Sequence, residues 1–110
     1  MKKEYRVKKS SEIESIIKKR QSKGNQYFVL YKSENHENSH FRFAVSVSKK
    51  FGNAVKRNKI KRQIREIISK KEVIDHYDIF VVVKNNANSL HFAEIKKSID
   101  WLISKQNILR

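Results

Sequence analysis

The chain has no cysteine and no proline, and only two glycines in 110 residues. Without cysteine there are no disulfides and no thiolate metal sites, and the redox compartment stays open. With so little glycine and no proline, turns fall to asparagine, as at Asn35, Asn38, Asn85, Asn86 and Asn88. No apolar run approaches the ~20 residues that span a bilayer. The basic start, MKKEYRVKKSSEI, is not followed by an apolar segment, so it does not read as a secretory signal. The expectation is a soluble, cytoplasmic protein with no membrane association. The most telling absence is local: nothing between Glu37 and Glu66 is Asp or Glu.

Against that gap, 26 Lys and Arg face 11 Asp and Glu, a formal net charge of +15. Such a charge does not specify a fold, but it constrains partners. A polyanion is expected, nucleic acid before an anionic membrane surface. The 38% of hydrophobic residues exceed what a disordered basic tail carries. The length suits one domain, residues 1–110, with a modest core.

Residues 1–9 read as a basic arm with Tyr5 and Val7 interspersed. Ser11 and Glu14 have the spacing of a capping box, predicting a helix from Ser10 or Ser11 that ends by Gly24. Ile13, Ile16 and Ile17 form its apolar stripe. Residues 27–31 (YFVLY) read as a strand, residues 33–40 as a polar loop, and residues 41–48 as a second strand. In the second strand Phe41, Phe43, Val45 and Val47 share one face, and Arg42, Ala44, Ser46 and Ser48 the other. The short loop predicts that the two strands pair antiparallel.

A Gly52-containing loop and a basic helix over 54–69 follow, then a polar link over 71–77. Residues 78–84 (DIFVVVK) read as a central strand covered on both faces. NNANS reads as a turn, and a last helix over 89–106 carries Phe92, Ile95, Ile99, Leu102 and Ile103 on one stripe, with Trp101 half exposed beside it. The predicted fold is an α+β two-layer sandwich: a small mixed sheet with about three helices, in the order α-β-β-α-β-α, with room for one extra short strand.

The stretch over 49–65, KKFGNAVKRNKIKRQIR, holds eight Lys and Arg and no acid. Ile60, Ile64, Ile67 and Ile68 recur through and beyond it at helical spacing. At about 100° per residue, Arg57, Lys61, Arg65, Asn58 and Arg62 form one arc that begins at the apolar seam. Like charges three and four apart oppose the helix by ~0.2–0.5 kcal/mol per pair, and no acid relieves them. A phosphate ligand would reverse that sign. Arginine is the better phosphate fork. Lys49, Lys50 and Gly52 precede the helix, where backbone N–H groups meet an anion readily.

The segment SVSKKFGNAVKRNKIKRQIRE resembles the signature of the bacterial ribonuclease P protein family, of the form Lys-x-Gly-x-Ala-Val-x-Arg-Asn-x-x-Lys-Arg-x-x-Arg-Glu. Lys50, Gly52, Ala54, Val55, Arg57, Asn58, Lys61, Arg62, Arg65 and Glu66 match its fixed positions. RVKKSSEI, FVLY and DIFVVVK are similar to the family's start and strands. The resemblance implies a fold like a ribosomal-protein domain, with a left-handed β-α-β crossover through the basic helix. It implies an accessory subunit that binds the catalytic ribonuclease P RNA and the 5′ leader of precursor tRNA, one protein per RNA. The RNA, with Mg²⁺, cuts the phosphodiester bond; the protein holds no cofactor and no catalytic group. Implied RNA contacts are Lys49, Lys50, Asn53, Arg57, Asn58, Lys61, Arg62 and Arg65. Implied leader-cleft positions are Ile13, Ile17, Tyr31, Ser46 and Ser48. The family usually has Phe where Ile13 and Ile17 stand, and losing a ring costs ~1–3 kcal/mol of stacking per base. Leader binding is therefore expected to lean on Tyr31, Tyr27 and lysines. The family's Gly after the first helix is Arg20 here, and its Arg-x-Pro after the late strand is Lys84, Asn85, Asn86.

Other chemistry is sparse. His36, His40, His76 and His91 have no zinc-like spacing. Glu72, Asp75 and Asp78 beside His76 read as a solvated link, with Asp78 able to cap or orient a neighbour. No P-loop or nucleophile motif is present. A ribosomal structural protein is the competing reading. A DNA-binding helix-turn-helix lacks its short first helix, and a protein-only nuclease lacks clustered carboxylates.

Overall fold

The structure, a computed structural model, describes residues 5–7 and 9–110; the rest of the basic arm lies outside the described residues. Three helices and four strands follow in the order α1 (Ser10–Lys18), β1 (Ser22–Gly24), β2 (Phe28–Glu34), β3 (Arg42–Val47), α2 (Ala54–Ser69), β4 (Tyr77–Val83) and α3 (Phe92–Gln106). The sheet order is β1-β2-β4-β3. β4 runs antiparallel to β2 and parallel to β3. The mixed α+β sandwich expected from the sequence is therefore present, with β1 as the extra short strand.

The expected β2–β3 pairing is not formed. β4 lies between them, and the reason is burial. Ile79 and Val81 on one face are fully buried and Phe80 on the other is 5% exposed, so this strand belongs where both faces are covered. A single interaction fixes its register. Arg42 and Asp78 are cross-strand partners, and Arg42 donates from Nε and Nη2 to the two Asp78 oxygens at 3.0 and 2.8 Å. Asn38 adds a hydrogen bond to Asp78 Oδ1 at 2.8 Å, and Arg42 Nη2 also reaches Glu12 of α1 at 2.7 Å. One guanidinium thus joins α1, β3 and β4. Asp78 is buried, contrary to the solvated link expected. The same link buries Val73 and Tyr77.

Strand alternation sorts the two faces. Phe28, Leu30, Phe43, Ile79, Val81 and Val83 point into the main core, beneath Ile60, Ile64, Ile67 and Ile68 of α2 and Ile95, Ile99, Leu102 and Ile103 of α3. Phe92 does not join them: it is 40% exposed, because α3 begins at Phe92 rather than Ser89. Asn85–Ser89 instead make a 3-10 turn that buries Ala87. The opposite sheet face carries a smaller cluster of Val7, Ile16 and Phe80, with Ile13, Tyr31, Ala44 and Val82 against it.

The first helix departs in detail. The Ser11–Glu14 capping box is absent. The N-cap is Lys9, with no side-chain cap, because the helix starts at Ser10 and places both serines inside its first turn. α1 stops at Lys18, well before Gly24, and Arg20 takes the left-handed turn at φ 54. β2 continues to Glu34, into the stretch read as loop.

Burial alone pushes the Asp78 carboxyl up, and the hydrogen bonds from Arg42 and Asn38 more than reverse it, holding it below the usual carboxylate range. A depressed folded value means the contribution is complete above about pH 4, the unfolded value, and is lost as pH falls through the folded one. Asp78→Ala strands Arg42 at the junction of three elements and should cost about 3–5 kcal/mol in denaturant unfolding at pH 7. The loss should shrink below pH 4.

Candidate nucleic-acid interface

The sequence explains α2 locally. Asn53 caps it, its Oδ1 accepting from Lys56 N at 2.9 Å, and four isoleucines bury its inner face. Each buried isoleucine contributes about 1.5–3 kcal/mol. Like-charge pairs such as Arg57–Lys61, Lys61–Arg65, Lys59–Arg62 and Arg62–Arg65 each oppose that by ~0.2–0.5 kcal/mol. Apolar burial wins, so the helix forms with its repulsion unrelieved. Among the described residues, the only α2 side chain in an ion pair is Glu66, with Lys70 at 3.6 Å. Ion pairs made by the described residues include none of the Lys and Arg of 49–65.

The arc read from the helical angles is arranged as expected. Arg57, Lys61 and Arg65 are half-buried along the seam, while Asn58 and Arg62 are exposed. Lys49 and Lys50 stand exposed on a 3-10 turn, Lys49–Phe51, anchored by the buried Phe51. Gly52 follows in extended backbone, where an added Cβ would come within 3.0 Å of the Lys56 stem. Asn53 lies beside these residues, but its side-chain oxygen is committed to the cap. Val55 is 76% exposed on the first turn.

Sequence reasoning missed Arg6. Residue 6 bridges to Phe43 in parallel fashion, and Val7 N donates to Phe43 O at 3.0 Å, so this segment lies along the outer edge of β3. That brings Arg6 close to Arg65. Burial first, and the charge of Arg6 second, lower the Arg65 pKa. The Nε atoms of Arg6 and Arg57 are buried without a hydrogen-bond partner among the described residues. A buried charged donor without an acceptor is costly. A phosphate chain along this seam would supply acceptors and cancel the repulsion together. Only a basic residue in an arm signalled Arg6 in the sequence; its place beside α2 comes from a tertiary bridge.

On the other sheet face the cleft positions come together in part. Ile13 and Tyr31 share the small cluster, and Tyr31 pairs in register with Phe80, ring centroids 6.0 Å apart. Ser46 is exposed, in register with Val82 on the same face. Ile17 is 39% exposed one turn beyond Ile13. Ser48 lies past the end of β3, its Oγ donating to Asn85 Oδ1 at 2.7 Å. Phe80, Val82 and Ala44, missed earlier, complete this face; alternation in DIFVVVK was the available signal.

The family model described as Ribonuclease P matches residues 1–107. The chain is 45% identical to the ribonuclease P protein component of Macrococcus caseolyticus over 94% of this chain and 90% of that one. It is 39% identical to that of Oceanobacillus iheyensis over 100% and 93%. Among solved structures, the Staphylococcus aureus RNase P protein superposes with a TM-score of 0.89 at 39% identity, covering 96% of this chain and 98% of that one. The Thermotoga maritima RNase P protein gives 0.80 at 26% identity over 91% and 96%.

Stability and binding should separate on α2. Arg65→Gln relieves repulsion, so its melting temperature should equal or exceed that of the parent. Its affinity for structured RNA should fall, with a salt slope shallower by about 1. Ile64→Ala should instead lose about 2–5 kcal/mol of stability.

Proposed function

The chain belongs to the ribonuclease P protein family, and from that premise we propose that it acts as the protein subunit of ribonuclease P by neutralising and positioning RNA. Its partner is the ribonuclease P RNA, met by the α2 arc with Lys49, Lys50 and Arg6. Its second ligand is the 5′ leader of precursor tRNA, lying across the cleft between α1 and the sheet, against Tyr31, Ile13, Ile17 and Ser46. In this reading one protein serves one RNA, in the cytoplasm.

The observation that carries the reading is the α2 seam: half-buried cations, no acid within the run, and the Nε atoms of Arg57 and Arg6 without acceptors among the described residues. It is an arrangement whose free energy improves when phosphates arrive. The turn before α2 is a short 3-10 turn leaving a strand, not the first helix of a helix-turn-helix. Bond cleavage belongs to the RNA subunit in this proposal, with Mg²⁺ as the RNA's requirement. Among the described residues no three His, Asp or Glu side chains converge as metal ligands, and no step is assigned to a protein-held ion. What this chain contributes is charge and orientation, so less Mg²⁺ is needed to hold the RNAs together. No helix of the described residues is long and apolar enough to cross a membrane.

The test is reconstitution with ribonuclease P RNA at low Mg²⁺. The combined change Arg57→Ala, Lys61→Ala, Arg62→Ala and Arg65→Ala should lower precursor cleavage by roughly 100-fold and flatten its salt dependence. Unchanged activity and salt slope would remove α2 from the interface. For the cleft, Tyr31→Ala should weaken binding of a leader-bearing precursor by ~1–3 kcal/mol relative to mature tRNA. Equal loss for both ligands would place the leader elsewhere.

A further inference from the structure

Trp101, the chain's sole tryptophan, is 48% exposed on α3. It is flanked four residues either way by Lys97 and Lys105, which helical spacing puts on the same face. Lys105 Nζ stands 5.8 Å from the indole centroid. Trp101 and Lys97 border an open depression of about 620 Å³ whose other wall is the β1–β2 turn, with Asn25, Gln26 and Tyr27. That turn is held firmly. Asn25 Nδ2 donates to Ser98 Oγ of α3 at 2.5 Å. Its Oδ1 accepts from the Tyr27 and Phe28 amides, both at 2.9 Å, and its carbonyl accepts from Lys84 Nζ at 2.7 Å. Trp101 and Tyr27 therefore both line one preset space, with Lys97 at its rim. Of the acids, Glu94 lines the depression and accepts from the His91 amide at 3.1 Å. Asp100 is held by Lys71 and Lys96 at 2.7 and 2.8 Å.

We propose that this depression is a second stacking site for single-stranded RNA, taking leader nucleotides beyond those in the cleft. The inference rests on the leader-cleft reading. A basic surface with spaced rings is the general design for unpaired strands, since every base offers a π-face. The route is set by register. Ser22 and Gly24 of the edge strand pair with Tyr31 and Val29 and share their face. These small residues leave the sheet open from Tyr31 to its edge, and the β1–β2 turn carries Tyr27 around that edge toward Trp101. Lys23, also exposed, pairs with Leu30 and so points to the α3 side of this edge. The two rings make up for aromatic surface that Ile13 and Ile17 do not supply in the cleft.

Because RNA contains no indole, emission excited beyond the tyrosine absorption band comes from Trp101 alone in the reconstituted holoenzyme. Precursor tRNAs with leaders of about 2 and about 12 nucleotides are titrated into it. The longer leader should quench Trp101 and the shorter should not. Trp101→Ala should remove roughly 5- to 100-fold of the affinity gained by lengthening the leader, and Trp101→Phe should restore most of it. Emission blind to leader length, or the same gain in Trp101→Ala, would overturn the inference. So would a spectral change that follows protein concentration without RNA, which would mark the face as a contact between two copies. Tyr31→Ala keeps the two readings apart. If it flattens the length dependence and Trp101→Ala does not, the cleft stands and the Trp101 site falls; if neither does, both fall.

Discussion

The molecule is built on an electrostatic imbalance held in place by apolar burial. α2 carries its cations from the seam outward with no acid inside the run, and its four isoleucines bind it to the sheet strongly enough to tolerate the repulsion. Some cations elsewhere are paired: Arg42 with Asp78 and Glu12, Lys71 and Lys96 with Asp100, Arg110 with Asp75. What sets α2 and the turn before it apart is density: eight Lys and Arg over 49–65 with no acid among them. A uniformly basic surface would attract RNA without orientation. A basic arc beside a rigid sheet orients it.

The Arg42–Asp78 clamp ties this arc to the opposite face. By setting the register of β4 against β3, it brings Phe80 and Val82 opposite Ala44 and Ser46, and through Glu12 it seats α1 above them. Moving β4 by one residue would turn Phe80 into the main core and Ile79 toward the cleft. One ion-paired junction therefore sets both the floor and one wall of the proposed leader site, about a sheet's thickness away from α2.

Much of this was legible in the sequence, for identifiable reasons. α2 announced its bounds because a helical apolar period through Ile60, Ile64, Ile67 and Ile68 follows the Gly52 loop and overlaps a run free of acids up to Arg65. β4 announced its central place by being apolar on both faces. The strand order was not legible, because proximity in sequence favours β2–β3 pairing while the decisive contact joins residues 42 and 78. β1 is too short for a periodic signal. The left-handed turn at Arg20 was signalled only by the resemblance, whose family has a glycine at that place. Arg6 and Phe80 became functional candidates only when the fold set them beside Arg65 and Tyr31.

The central claim is that α2 is held together against its own charge and is relieved by RNA. Amide hydrogen exchange of the chain, free and bound to ribonuclease P RNA, measures this directly, since it reports opening free energy element by element. The account predicts that α2 amides slow most on binding, well beyond those on the inner face of α3. Protection confined to α1 or α3, with α2 exchanging as in the free protein, would contradict it.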